Sequence, residues 1–208
     1  MRFNVITPMV RIHNAPDLIK MLAPQKIQWH VVVDDDNPLK LVFDEDWINV
    51  YRCPNPETTF YARSNFSINW MFENHVDSEG YWCVLNDDDA YEPGFFDKLR
   101  KSLSDDEYKH DVVIVGMERG DATPSDASWE HAHGTHRLPA HPDHAKMNHV
   151  GVEQMIASGS VMKQYRIPYH LSGDGQWVEH IAQRHEVLYL DNLNVWFNYY
   201  EPGRWNSA

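Results

Sequence analysis

The sequence predicts an α/β domain, a mixed, mostly parallel sheet flanked by helices. Short apolar runs of strand length alternate with stretches whose apolar residues recur at helical spacing. Two of those runs end in acids, Val33 running into Asp34-Asp35-Asp36 and Leu85 into Asn86-Asp87-Asp88-Asp89. In an open α/β sheet, ligands bind in the crevice beyond the carboxyl ends of the strands, so both junctions mark the expected site.

Taken in order, Phe3 to Thr7 reads as the first strand, stopped by Pro8. A loop through Arg11, His13 and Asn14 leads to Pro16, which opens a short helix over Asp17 to Leu22. Gln28 to Val33 is a second strand and Trp47 to Arg52 a third, followed by a Pro-rich turn at Pro54 and Pro56. Phe60 to Asn74 suits a helix, with Phe66, Ile68, Trp70 and Met71 apolar and Arg63 and Asn65 near its start. Tyr81 to Leu85 is an apolar aromatic strand, after which Pro93 opens a helix spaced by Phe95, Phe96, Leu99 and Leu103. Val112 to Met117 is a further buried strand. Residues 118–149 are polar, broken by Gly and Pro, and hold six of the thirteen His: His131, His133, His136, His141, His144 and His149. A stretch of that length without its own elements is expected to be a functional or mobile loop. Val150 to Met162 recovers apolar character, Ser172-Gly173-Asp174-Gly175 leads into a helix, and Val187 to Leu190 is a last short strand. The 208 residues read as a single domain, with 1–117 as a nucleotide-binding half and 118–208 as an acceptor-side half.

Composition narrows the function. A formal net charge of −13 argues against a surface that tracks nucleic-acid phosphates or anionic lipid headgroups. The two cysteines, Cys53 and Cys83, make no disulfide framework, and no signal core or membrane span is visible, so a cytoplasmic setting is expected. There is no G-x-G-x-x-G and no Walker loop. A nucleotide would therefore have its phosphates held by other means, and consecutive acids with a divalent cation are the means available. Three adjacent carboxylates repel one another, and a hard cation relieves that repulsion through oxygen ligands. Asp and Asn also favour turns, so the same residues suit a plain acidic turn.

The order of these features resembles the GT-A class of nucleotide-sugar glycosyltransferases, closest to the inverting family 2. The residues that carry the resemblance are Asn4-Val5-Ile6-Thr7-Pro8, Val31-Val32-Val33-Asp34-Asp35, Arg63 and Asn65, Val84-Leu85-Asn86-Asp87-Asp88-Asp89 with Pro93, and Asp174 at a helix start. The resemblance implies a GT-A-like fold and transfer of a sugar from a nucleotide-diphosphate donor, a UDP-sugar favoured, to a hydroxyl on a glycan or other acceptor. It implies Mn²⁺ or Mg²⁺ as cofactor, with Asp87 and Asp89 as metal ligands in the DxD position and Asn86 where many relatives carry the first Asp. It places Thr7, Pro8, Asp34, Asp35, Arg63, Asp87 and Asp88 around the donor, with Arg204 in the C-terminal tail as a further diphosphate contact and Tyr199, Tyr200 and Trp205 beside it. It makes Asp174 the catalytic base of an inverting reaction, with Glu179 one turn further on as the fallback, and Ser158-Gly159-Ser160 a lining of the acceptor side. Gly173 and Gly175 are expected to let the backbone approach a ligand.

Three other functions fit parts of the pattern. A sugar nucleotidyltransferase also uses acids and a metal on an α/β sheet, but its glycine-rich basic loop is absent from Pro8 to Asn14. A zinc-dependent hydrolase would draw on the histidine loop, whose spacings are irregular and match no H-E-x-x-H pattern. A non-catalytic sugar-binding domain would keep the fold without needing Asp174.

Overall fold

The computed structural model describes residues 1–35, 43, 45–54, 60–119, 137–170 and 172–197. They form a nine-stranded mixed sheet flanked by helices, the α/β class that the sequence predicts. The strands are β1 (Phe3–Pro8), β2 (Gln28–Asp34), β3 (Ile48–Cys53), β4 (Tyr81–Val84), β5 (Ala90–Tyr91), β6 (Val112–Arg119), β7 (Arg137–Leu138), β8 (Met155–Ser158) and β9 (Val187–Phe197). Their order across the sheet is β3-β2-β1-β4-β8-β6-β9-β5, with β7 paired to β6. β1 pairs in parallel with both β2 and β4, and β2 with β3. β8 lies antiparallel between β4 and β6, so its amino-terminal end meets the carboxyl end of β4.

The helices are α1 (Ala15–Leu22), α2 (Phe60–Asn74), α3 (Phe95–Asp105), α4 (Gly159–Gln164) and α5 (Gly173–Ala182). Side chains alternate across each strand, so the apolar runs split between two cores. Phe3 and Val5 of β1 join Val113 and Val115 of β6 beneath α1 and α3, where Leu18, Leu22, Phe95, Phe96 and Leu99 are buried. Ile6, Val84, Val112 and Ile114 face the other way and pack with Ile68, Met71 and Phe72 of α2 and Trp177, Val178 and Ile181 of α5. Burial on both faces is why these strands read as continuous apolar runs.

The expected elements are present, with shifted ends. α2 has the predicted bounds, whereas α3 begins at Phe95 with Gly94 as its cap, two residues beyond Pro93. β9 runs on to Phe197, seven residues past the predicted strand, because its second half pairs with β6 beyond a bulge at Val115/Gly116 and with β5. The two-residue strands β5 and β7 had no sequence signal of their own.

One buried polar residue reports on the sheet's electrostatics. His30 on β2 is 7% exposed, sits between the rings of Tyr51 and Trp82, and contacts the Tyr51 hydroxyl and Asn4 Oδ1 at 3.2 Å each. Burial, with the nearby Arg2 charge, lowers its pKa from 6.5 to about 4. The unfolded chain then binds a proton that the folded one refuses. Stability should fall as pH drops from 6.5 towards 4, by roughly 2–3 kcal/mol from this residue. Urea unfolding between pH 7.5 and 4.5 should show a steeper loss for the wild type than for His30→Gln. Equal slopes would refute the assignment.

Candidate functional site

The topology gathers the acids at one edge. β1, β2 and β4 are parallel neighbours, so the β1–α1 loop, Asp34 and Asp35, and Asn86 to Asp89 all emerge on the same side. Because β8 is antiparallel, the turn that precedes it, Val152–Gln154, lies on that side too.

Asp87 is 2% exposed, and a buried carboxylate needs donors. Its Oδ2 accepts from the backbone N–H of Val10 at 2.6 Å and from that of Arg11, and its Oδ1 accepts from the Arg11 guanidinium. Asn14 Nδ2 donates to the Asp87 carbonyl at 3.0 Å. The other end of the same guanidinium lies 3.1 Å from Asp88 Oδ2. Asp89 is fully buried, and its N–H closes a turn onto the Asn86 carbonyl at 3.2 Å. The acids are hard oxygen donors of the kind a divalent cation takes, and they hold a cation already, Arg11. Among the described residues, no group of three or more His, Cys, Asp or Glu is gathered for a metal ion.

Opposite the acids stands Asp174, in the first turn of α5. Burial raises its pKa, while hydrogen bonds from the backbone N–H groups of Gly175, Asp174 itself and Val152, with the His170 charge, hold the rise in check. The glycines that flank it do make room for backbone, but the backbone is the protein's own. A Cβ at Gly173 would collide with the Pro168 carbonyl, and one at Gly175 would come within 2.8 Å of the Val150 carbonyl. The approach to Asp174 is held by α2. Asn69 exchanges two 2.8 Å hydrogen bonds with the backbone of Ile167, and Asn65 Nδ2 donates to the Pro168 carbonyl at 2.9 Å.

Between the two groups of acids lies Glu153, 3% exposed, a residue that the sequence reading did not single out. Its Oε1 accepts from Asn86 Nδ2. Its neighbour Gln154 locks the turn by donating to the Val115 carbonyl at 2.9 Å and accepting from Gly151 N–H at 3.1 Å. Burial, then the charges of Asp174 and Asp88, push the Glu153 carboxyl well above its usual range, against the hydrogen bonds from its own N–H and Asn86. An acid enclosed by apolar neighbours, Val152 before it and Met155-Ile156 after, was the available signal.

The other expected residues divide. Arg63, on the first turns of α2, pairs with Asp34 at 3.7 Å, and Asp35 beyond it is exposed. Thr7 and Pro8 are enclosed in β1, and the Thr7 hydroxyl accepts from Trp29 Nε1 at 2.9 Å inside the core. Glu179 is a turn away on α5 and accepts from Met147 N–H at 3.1 Å. Ser158, Gly159 and Ser160 form the junction of β8 and α4, at the end of β8 away from Glu153. Arg204, Tyr199, Tyr200 and Trp205 lie outside the described residues, as do His131, His133 and His136. His141, His144 and His149 form a chain of edge-on rings with centroids 6.2 and 6.3 Å apart. Cys53 and Cys83 are buried thiols. No helix among the described residues is long and apolar enough to cross a membrane.

No protein-family model and no curated sequence matches this chain. Solved structures do. The crystal structure of S. aureus TarS 1-349 superposes with a TM-score of 0.56 at 13% identity, covering 93% of this chain and 60% of that one. A second crystal structure of S. aureus TarS gives 0.51 at 14% identity, covering 91% of this chain and 35% of that one. This chain thus spans well under two thirds of the longer TarS chain, and the likeness is one of fold.

The proton that Glu153 retains sets a further pH dependence. The folded state holds it where the unfolded chain releases it, so stability falls as pH rises above about 4.5. Glu153→Gln keeps an acceptor for Asn86 and removes the titration. Between pH 5 and 8 its urea midpoint should decline less than that of the wild type. Parallel declines would count against this reading of Glu153.

Proposed function

We propose that the protein is a glycosyltransferase that moves a sugar from a nucleotide-diphosphate donor to an acceptor hydroxyl. The observation that carries this is that Asp174, through Val152 and Glu153, comes to the same edge of the sheet as the acid turn Asn86 to Asp89. The glycosyltransferase-like fold supports it.

In this reading the nucleoside lies against Asp34, Asp35 and Arg63, at the carboxyl end of β2 and the start of α2. The diphosphate lies over the β1–α1 loop and the acid turn. Asp87 and Asp89 would hold Mn²⁺ or Mg²⁺, with Asp88 towards the ribose or sugar, and the cation would supply positive charge to the leaving diphosphate. Asp174 takes the proton of the acceptor hydroxyl as its oxygen bonds to the anomeric carbon and the carbon–oxygen bond to the diphosphate breaks. Attack from the face opposite the leaving group inverts the anomeric centre. A raised pKa makes Asp174 a better base than an ordinary carboxylate. Asn65 and Asn69 fix the loop that leads to it, and Glu153 fixes Asn86.

A thermal-shift panel tests the donor site, using uridine, guanosine, thymidine and cytidine diphosphates with and without Mn²⁺ or Mg²⁺. A native-state ligand at a hundred times its Kd stabilises by about 2.7 kcal/mol, a shift of several degrees. We expect one nucleotide, uridine diphosphate, to raise the Tm in the presence of the cation. Asp174→Asn should keep that shift and lose transfer by at least about a hundredfold. No shift with any nucleotide would refute the donor site, and full activity in Asp174→Asn would refute the base.

A further inference from the structure

The loop between β1 and α1 carries a cation to the acid turn, and the way it is held separates backbone from side chain. The N–H groups of Val10 and Arg11 both bond Asp87 Oδ2. Those two bonds close the loop onto the turn whether or not the Arg11 side chain is there. The guanidinium adds a second, independent layer, one nitrogen on Asp87 Oδ1 and another 3.1 Å from Asp88 Oδ2. Its side chain is 18% exposed, against 2% and 11% for the acids it bridges, so it covers them from the open side.

Three adjacent carboxylates in a chain of net charge −13 repel an approaching diphosphate. A guanidinium over two of them lowers that repulsion and occupies the oxygens that a divalent cation would use. Its planar fork fits a phosphate as well as a carboxylate. We propose that Arg11 is the exchangeable counter-ion of the acid turn: it covers Asp87 and Asp88, yields Asp87 Oδ1 to a divalent cation, and turns its guanidinium onto the donor diphosphate. The backbone bonds to Asp87 hold the loop in place during the exchange. This makes Arg11 a binding residue with two alternating partners, and it rests on the nucleotide-sugar reading above. The physical consequence is a competition: the cation alone binds against Arg11, and the diphosphate recruits the arginine that the cation displaces, so each ligand assists the other.

The competition is measurable without turnover. Mn²⁺ alone is titrated calorimetrically into the wild type, Arg11→Gln, Arg11→Lys and Asp88→Asn, and uridine diphosphate is then titrated at saturating Mn²⁺, with circular dichroism confirming that each variant is folded. Removing the competing charge should tighten Mn²⁺ binding in Arg11→Gln about tenfold, and losing the phosphate contact should weaken uridine diphosphate about tenfold. Arg11→Lys, which keeps a charge but cannot bridge two acids, should fall between. Should Arg11→Gln fold poorly, Mn²⁺ should restore its melting temperature by more degrees than it adds to the wild type. Mn²⁺ affinity unchanged or weakened in Arg11→Gln, with nucleotide binding intact, overturns the inference and leaves the glycosyltransferase reading standing. Failure of every protein, wild type included, to bind Mn²⁺ or uridine diphosphate overturns both.

Discussion

A carboxylate almost removed from water organises this molecule. Asp87 can be 2% exposed only because donors surround it: the backbone N–H groups of Val10 and Arg11, just beyond β1, and the Arg11 guanidinium. Satisfying Asp87 therefore pulls the first loop onto the end of β4. That closure brings Arg11 to the acids, sets Asn14 against the Asp87 carbonyl, and gives the cleft one of its walls. An apolar residue at 87 would leave the Val10 and Arg11 N–H groups facing each other's empty partners, and the wall would lose its anchor.

The carboxyls next to the acid turn are governed by burial first and like charge second. Glu153 is flanked by Asp88 and Asp174 from two other elements, and their charges add to the cost that burial puts on ionising it. Burial also raises the pKa of Asp174, against the backbone N–H groups that bond it. Coupling of this kind distributes roles among carboxyl groups by environment, since the side chains themselves are nearly alike.

Much of this was legible in the amino-acid sequence, for identifiable reasons. Strands buried on both faces must be apolar at every position, and β1, β2, β4 and β6 stand out for that reason. Helix α2 carried its own apolar spacing and its bounds were readable. β5 and β7, two residues each, exist only because β9 and β6 offer edges to pair with, which no local pattern records. Arg63 and Asp174 entered through the resemblance, whereas the acid turn and Asp34 were conspicuous because charged residues directly follow apolar runs there. Arg11 and Glu153 were not. A single arginine in a loop and a single acid in an apolar stretch acquire meaning only from neighbours 76 and 67 residues away. Thr7, which the resemblance places near the donor, has its hydroxyl on Trp29 Nε1 within the core, a contact that no local pattern records.

Helix α2 touches both ends of the cleft. Arg63 near its start meets Asp34 at the end of β2, and Asn65 and Asn69, about half a turn and under two turns further on, grip the backbone that leads to Asp174. A rigid rod fastened at both walls acts as a tie-bar. The cleft cannot gape by swinging one half of the domain away from the other without breaking the paired amide bonds at Ile167 and tearing a sheet that runs unbroken from β3 to β5. Movement at this edge of the sheet is left to side chains and loops.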